Sequence, residues 1–581
     1  MNGFKTLKLS SVVVLVAYMG LLMLTACVGN GDEQVRESPS NHTRPDTKNG
    51  PLAKYDPPIE VSFVRNLSEV VENNVLSVLE DETFEDNRWT RLYEEELGIR
   101  IVYDWVVKGN IGSDIYNQKF NMTVASGELP DVIPVNAVQL KQLAEADMIE
   151  DMTEWYEQFA TPFTKQVLSH EGSPPFDIAT YHGKLMAIPE VHSSIESAMF
   201  IWIRTDWLDK LGLSPPKTMT DVRAISKAFT KQDPDGNGVH DTFGLAVKKD
   251  LWGGFAGLEG FMAGFQAYPN IWIEDEQGNL VYGSVQPEVR EALLVLQEMA
   301  QQGEIDLEFG IKDEQKVAED IAAGKIGMLY GEQWNSIWPL QMNVNRDPDA
   351  QWRAFPIVSD LTDRPKVPLR FRTSIFFAVR KGFEHPEAVV KMFNLHLEKN
   401  FGETAEFEYY YAPPEAESVW QLSPVQPAPP LKNLIAYREI DAARKANDTS
   451  KLTGEAKTIQ KKLEAYASGS SEGFALWGWE RVYGPEGSMG IMDMYDKNNQ
   501  FLYEKFVGAP TPTMVNRQSA LNMLQNEVFA EIILGHSIEA FDKFVQDWHQ
   551  LGGHQMTKEV NEWYRSTRSN APSTGNEPEE K

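Results

Sequence analysis

Apolar and polar residues alternate through "IEVSFVRN" (59–66), the period of two that a strand with one buried face requires. The period lengthens in "NRWTRLYEEELGIR" (87–100), which predicts a helix closed by Gly98, and "IRIVYDWVV" (99–107) predicts the next strand. "SDIYNQKFNMTVASGELP" (113–130) reads as a helix with Gly127 as its stop, and "DVIPVN" (131–136) as a short buried strand. This β-α-β-α-β rhythm predicts an α/β fold, an open and mostly parallel sheet covered by helices. Later, "AMFIWIR" (198–204) is a strand, and helices flank "GLSPPKTMT" (212–220). "KVAEDIAAGKIGMLYGEQWN" (316–335) gives a helix, a glycine stop and a buried strand ending in aromatics. "FRTSIFFAVRKGFEHPEAVVKMFNLHL" (371–397) gives a strand, a turn and a helix, with His385 and His396 on what reads as a solvated pattern. Phe541, Val545 and Trp548 have helical spacing and are expected in the core.

Length and charge narrow the picture. At 581 residues the chain exceeds one ordinary domain, so two or more lobes are expected. Acids outnumber bases 85 to 54, a net of −31, which excludes nucleic acid as a partner and favours a soluble monomer. The N-terminus carries Lys5 and Lys8 and then an uncharged, mostly apolar run from Ser11 to Ala26, the layout of a secretory signal. It ends in Leu24-Thr25-Ala26-Cys27, which resembles the bacterial lipobox, where the cysteine is lipidated and becomes the first mature residue. Cys27 is the sole cysteine, so disulfides and thiol catalysis are excluded, and lipidation gives it a local reason to exist. Residues 27–58 read as the lipidated cysteine and a disordered tether, and 567–581 as a frayed tail.

The order of several motifs carries a resemblance: "HGKLMAIP" (182–189), "IRTDWLDKLGLSPPKT" (203–218), "DPDGNG" (233–238), "AAGKIGMLYGEQW" (322–334) and the ending "FAEIILGHSIEAFDKFVQDWHQLGGHQMTKEVNEWY" (529–564). In this order they resemble the extracellular solute-binding proteins of sugar ABC importers, family 1, in the maltose-binding-like cluster. More narrowly the chain resembles the long LipO-like lipoproteins of Gram-positive spore formers. The resemblance implies a two-lobed, type II periplasmic-binding-protein-like fold with a hinge between lobes and ligand in the cleft. By it, 59–190 and 317–372 form the N-terminal lobe, and 191–316 with 373–566 the C-terminal lobe. The stretch 400–520 is longer than in the smaller family members.

Counting from Asp233, Asp235 is position 3, Asn237 position 5, Gly238 position 6, Val239 position 7 and Asp241 position 9. That is the start of the EF-hand ligand pattern, and an ion would relieve three crowded carboxylates. Asp233, Asp235, Asn237, Val239 (through its carbonyl) and Asp241 are therefore expected to hold a structural Ca2+. The pattern fails at position 12, which is Gly244, and Thr242 stands where relatives carry an acid.

No catalytic arrangement competes. Gly469-Ser470-Ser471-Glu472-Gly473 fits G-x-S-x-G, but it follows a helical pattern instead of a strand. The ten histidines show no metalloprotease spacing. A sugar cleft needs flat aromatic faces and planar polar groups. The candidates are Asn87 and Trp89 in the first lobe, Trp334 and Asn335 after a strand, Trp252 with Phe255, and Arg372 at a crossing. Trp477, Trp479 and Tyr483, in what reads as a glycine-rich loop, complete the set. The reading is a lipid-anchored, membrane-bound substrate-binding component that passes oligosaccharide to an ABC permease, and not an enzyme. Two alternatives are a ligand sensor for a membrane kinase and a secreted polysaccharide-degrading enzyme.

Overall fold

A computed structural model of the chain describes residues 50–570, apart from 69, 70, 414 and 417. Two sheets organise it. The first orders its strands Ile99–Lys108, Ile59–Leu67, Val132–Val135, Ile375–Val379 and Ile188–Glu190. The first three run parallel, and Ile375–Val379 lies antiparallel between Val132–Val135 and Ile188–Glu190. The second sheet orders Trp352–Phe355, Phe200–Arg204, Ile326–Gly331 and Phe243–Leu245. Each sheet has its own hydrophobic core, so the chain has two α/β halves, as the sequence predicts.

Local chemistry sets the element ends. The Asn87 side chain accepts from the N–H groups of Trp89 and Thr90, and the Thr90 hydroxyl accepts from the Asn87 N–H, a reciprocal cap that starts the helix Arg88–Leu92. Gly98 stops the following turn at φ 65, where an added Cβ would lie 2.4 Å from the Tyr55 carbonyl oxygen. The Ser113 hydroxyl accepts from the Tyr116 N–H to start the helix Asp114–Ser126, and Gly127, at φ 75, ends it.

The strand pairing corrects the assignment of segments to halves. Residues 317–372 were expected with the first lobe, yet Ile326–Gly331 hydrogen-bonds to Phe200–Arg204 in the second sheet. Residues from 373 onward were expected with the second lobe, yet Ile375–Val379 sits inside the first sheet. The helix Glu387–Phe401 and the segment through Val425 add Val389, Phe393, Val419 and Leu422 to the first core. Both strands are unbroken apolar runs, and such a run reports burial without reporting which sheet it joins. The chain therefore passes between the cores three times, at 191–195, 369–376 and 425–434.

The terminal assignments also shift. Residues 50–58 are no tether: the Tyr55 hydroxyl donates to Glu387 at 2.7 Å, Lys391 donates to the Ala53 carbonyl at 2.9 Å, and Asn394 donates to that of Pro51 at 3.0 Å. A helix with polar groups on its buried face needs partners, and this segment supplies them. The last helix, His554–Asn570, runs past the expected boundary at 567. The signal segment and Cys27 lie outside the described residues. Among the described residues no helix is long and apolar enough to cross a membrane.

Candidate functional site

Two adjoining cavities lie where the three crossings meet. One, of about 490 Å³, takes walls from all three: His192 and Glu196, Arg372, and Gln426, Pro429 and Lys432. The other, of about 220 Å³, is lined by Trp334, Trp479, Tyr483 and Glu455, and shares Tyr411, Lys432 and Asn433 with the first. A larger space of about 910 Å³ continues past Phe407, Lys432 and Glu455 between helices of both halves. A fourth, of about 360 Å³, lies in the second half beside Trp252, Arg370 and Glu504.

The aromatic walls are built by strand ends and helix seating. Ile326–Gly331 ends in a 3-10 turn, Gln333–Ser336, that carries Trp334 at the strand's carboxyl end. The Trp334 indole N–H donates to Glu332 at 2.7 Å and its ring stacks on Trp338. Opposite, Trp477–Tyr483 is a helix, not a loop, seated on that turn through Gly478. A Cβ at Gly478 would come 2.6 Å from the Ile337 Cα, and the Gly478 carbonyl accepts from the Ser336 hydroxyl at 2.8 Å. This contact brings Trp479, stacked on Tyr483, to the same cavity as Trp334. Tyr411 and Trp420 add a stacked pair, centroids 5.6 Å apart, from the segment packed on the first core.

Polar groups here come as pairs. Lys432 Nζ lies 2.6 Å from Glu455 Oε1. Burial opposes the ammonium, but Glu455, together with Tyr411 and Tyr483, holds Lys432 well above its ordinary pKa. Glu196 accepts from Asn433 at 3.0 Å and from Gln333. Burial raises the Glu332 carboxyl, and Arg372, at 3.6 Å, partly offsets it. Glu504, beside Arg370, is pushed up to about 7 by burial against the opposing pull of the Phe371 N–H.

The structure sorts the sequence candidates. Trp334, Trp479 and Tyr483 share one cavity, and Arg372 lines its neighbour. Trp252 lines the separate cavity of the second half, its indole donating to Asn526 at 2.7 Å. Asn87 and Trp89 are fully buried in the first half, one as a helix cap and the other stacked on His396 with centroids 4.5 Å apart. Trp477 is buried beneath the helix that displays Trp479. Asn335 is buried and turned to the Gly254 carbonyl, and Phe255 is buried against Trp338. A capped helix start and a tryptophan-rich stretch mark where aromatics are, but not which face they take. His396 is corrected too: it is buried, and desolvation lowers its pKa to about 3. Tyr411, Trp420, Lys432 and Glu455 were missed, because they come from the long insertion and follow no motif.

The Asp233 loop is arranged around its own backbone. Asp233 accepts from the N–H groups of Gly236, Asn237 and Gly238 at 3.1 Å, and the Asn237 amide bridges Asp235 and Asp241. Among the described residues no group of three acidic, histidine or cysteine side chains is placed to hold an ion. The expected set Asp233, Asp235, Asn237, Val239 and Asp241 is close together, but these hydrogen bonds turn its side-chain oxygens to loop amides and not around a common centre. Thr242 cannot complete it: its hydroxyl donates to the Phe229 carbonyl at 2.7 Å and is buried. The donor chemistry still suits a hard cation, because burial and then the neighbouring Asp233 raise the Asp235 carboxyl. Ser471 opens a short helix behind another helix, so no nucleophile elbow forms.

Over residues 77–398 the sequence matches the profile of the family described as bacterial extracellular solute-binding protein. The chain belongs to this family. Among known relatives it is similar to Lipoprotein LipO of Bacillus subtilis, 29% identical over 238 residues, which are 41% of this chain and 45% of that protein. It is 25% identical over 227 residues to the polygalacturonan/rhamnogalacturonan-binding protein YtcQ of the same species, covering 38% and 43%. A fructooligosaccharide ABC transporter substrate-binding protein of Streptococcus pneumoniae, FusA, is 32% identical over 164 residues, 26% of this chain and 28% of its own length. The chain thus spans less than half the length of each of these relatives. The structure of FusA in complex with kestose shares the fold, with a TM-score of 0.57, 16% identity, and coverage of 88% of this chain and all of that one. An EF-hand mutant of FusA with fructo-nystose has the same TM-score, 0.57. The family and two of these relatives are named as binding proteins.

Proposed function

We propose that this solute-binding protein captures an oligosaccharide between its two halves and presents it to an ABC permease. The observation that carries the reading is the meeting of aromatic faces from both halves, Tyr411 and Trp420 with Trp334 and Trp479, beside paired planar polar groups. Indole and phenol faces stack on the C–H surfaces of sugar rings, while carboxylates and amides pair with their hydroxyls. Cavity walls drawn from all three crossings make ligand contact and the angle between halves one variable. A ligand touching both sides then stabilises the closed form. The names of FusA and YtcQ, a fructooligosaccharide and a pectic-polymer binder, support a glycan ligand. Titration of the mature chain with a glycan panel, read by tryptophan fluorescence and calorimetry, tests this. No response to any saccharide sinks it, and release of reducing ends would point to an enzyme instead.

Two accessory features belong to the reading. Cys27 carries a lipid that holds the body at the outer face of the cell membrane, so Cys27→Ser should release the protein into the medium. The loop at Asp233, Asp235, Asn237, Val239 and Asp241 takes a structural Ca2+ after its side chains turn inward, as the EF-hand of the FusA relative suggests. Calcium should then raise the melting temperature and a chelator lower it. An unchanged metal content in Asp235→Ala would remove the loop from consideration.

A further inference from the structure

The cations lining the two adjoining cavities and the Trp252 cavity already have partners, and among the described lysines and arginines of the 910 Å³ space only Lys457, exposed on its rim, lacks an ion pair. Lys432 is 2.6 Å from Glu455, Arg370 is 2.6 Å from Glu259, and Arg372 is 3.6 Å from Glu332. His192 stands 3.4 Å from Glu190, and Lys462 caps the Trp479 ring at 3.5 Å. The acids are the more buried members of these pairs: the side chains of Glu190, Glu259 and Glu332 are 3%, 8% and 5% exposed. Each of the three is held inside, away from the water that would replace its partner. The 910 Å³ space adds Glu403, Glu406, Glu408 and Glu439 to the same region.

We infer that the ligand is an uncharged glycan, and that the site discriminates against uronic-acid or sulfated chains. The inference rests on the saccharide-capture reading above and narrows it. A carboxylate on the ligand would have to draw a cation away from a buried acid, leaving that acid unpaired and desolvated. It would also enter a region where acids outnumber bases, on a chain of net charge −31. Hydroxyls face neither cost. They donate to the carboxylate lone pairs that the Asn433 and Gln333 amides leave open on Glu196, and accept from the remaining N–H groups of Arg372 and Lys432. Exclusion of anions is thus built in as a like-charge penalty.

The test compares neutral fructo-, malto- and xylo-oligosaccharides with oligogalacturonides of matched length on the mature chain, at low and at physiological salt. A neutral member should bind, and every oligogalacturonide should bind at least about 100-fold more weakly. Added salt should narrow the gap by screening. Glu455→Gln, which frees Lys432, should bring the oligogalacturonide about tenfold closer to the neutral ligand, with folding checked by circular dichroism. An oligogalacturonide that binds as tightly as the best neutral sugar overturns this inference and leaves saccharide capture standing. Silence from both ligand sets overturns saccharide capture itself, and this inference with it.

Discussion

A tryptophan here is either a wall of the cleft or a stone of the core, and adjacent residues differ. Trp477 is 1% exposed, whereas Trp479, two positions on, lines the cavity beside Lys462. Trp477→Ala should therefore cost about 3–5 kcal/mol of folding stability in urea unfolding. Trp479→Ala should leave stability nearly unchanged and weaken the glycan about 5–150-fold, on the order of 1–3 kcal/mol. Similar loss of folding in both variants would place both rings in the core. His396 and Glu504 give a second residue-scale prediction, through pH. Folded His396 binds its proton only near 3 against an ordinary 6.5, so its burial destabilises the fold progressively as pH drops below 6.5. Glu504 keeps its proton up to about 7 against an ordinary 4.5, so it costs stability as pH rises through that window. The two slopes, each at most about 1.4 kcal/mol per pH unit, oppose each other between pH 4.5 and 6.5. His396→Gln should remove the first and tilt the stability–pH curve downward toward neutrality relative to the parent, and Glu504→Gln should tilt it the other way. Parallel curves for all three proteins would show that neither group is linked to folding. Burial at this scale was not legible: His396 lies on a helix whose polar residues suggested solvent, but Trp89 and Asn400 cover it.

Elements were more legible than their partners. The strands and helices read from periodicity between 59 and 136 are present, with Gly98 and Gly127 as their left-handed stops. Apolar runs such as Ile326–Gly331 and Ile375–Val379 are the strands expected, but the resemblance put them in the wrong half, and pairing between distant segments leaves no local mark to correct it. The short helix Trp477–Tyr483 was hidden by Gly478, which reads as loop chemistry but serves close contact with the turn at Ser336 and Ile337. Gly478→Ala tests that role. Forcing a methyl group against the Ile337 backbone should cost about 1–3 kcal/mol and push Trp479 away from Trp334, weakening ligand as well as stability. A variant with parental melting and binding would mean that the helix reseats freely.

At the scale of the molecule, three strands of chain join the halves, and the cavities with aromatic walls open beside them. A small change of angle at 191–195, 369–376 and 425–434 thus moves Tyr411 and Trp420 relative to Trp334 and Trp479. Saturating ligand should reduce the radius of gyration in solution scattering and shift tryptophan emission together. A fluorescence change with an unaltered scattering curve would mean binding to one half alone. The resemblance marked crossings near 191 and 372 but set a third at 317 instead of 425–434, and no composition change marks 369–376. The repeated crossing also has a bearing on synthesis. The first sheet needs Ile375–Val379 between Val132–Val135 and Ile188–Glu190, so a growing chain that stops short of it holds an open slot with unpaired edges on both sides. No fragment ending before 375 can complete either the first sheet or its core. The first half can therefore close only after about two thirds of the polypeptide, through Val379, has been made.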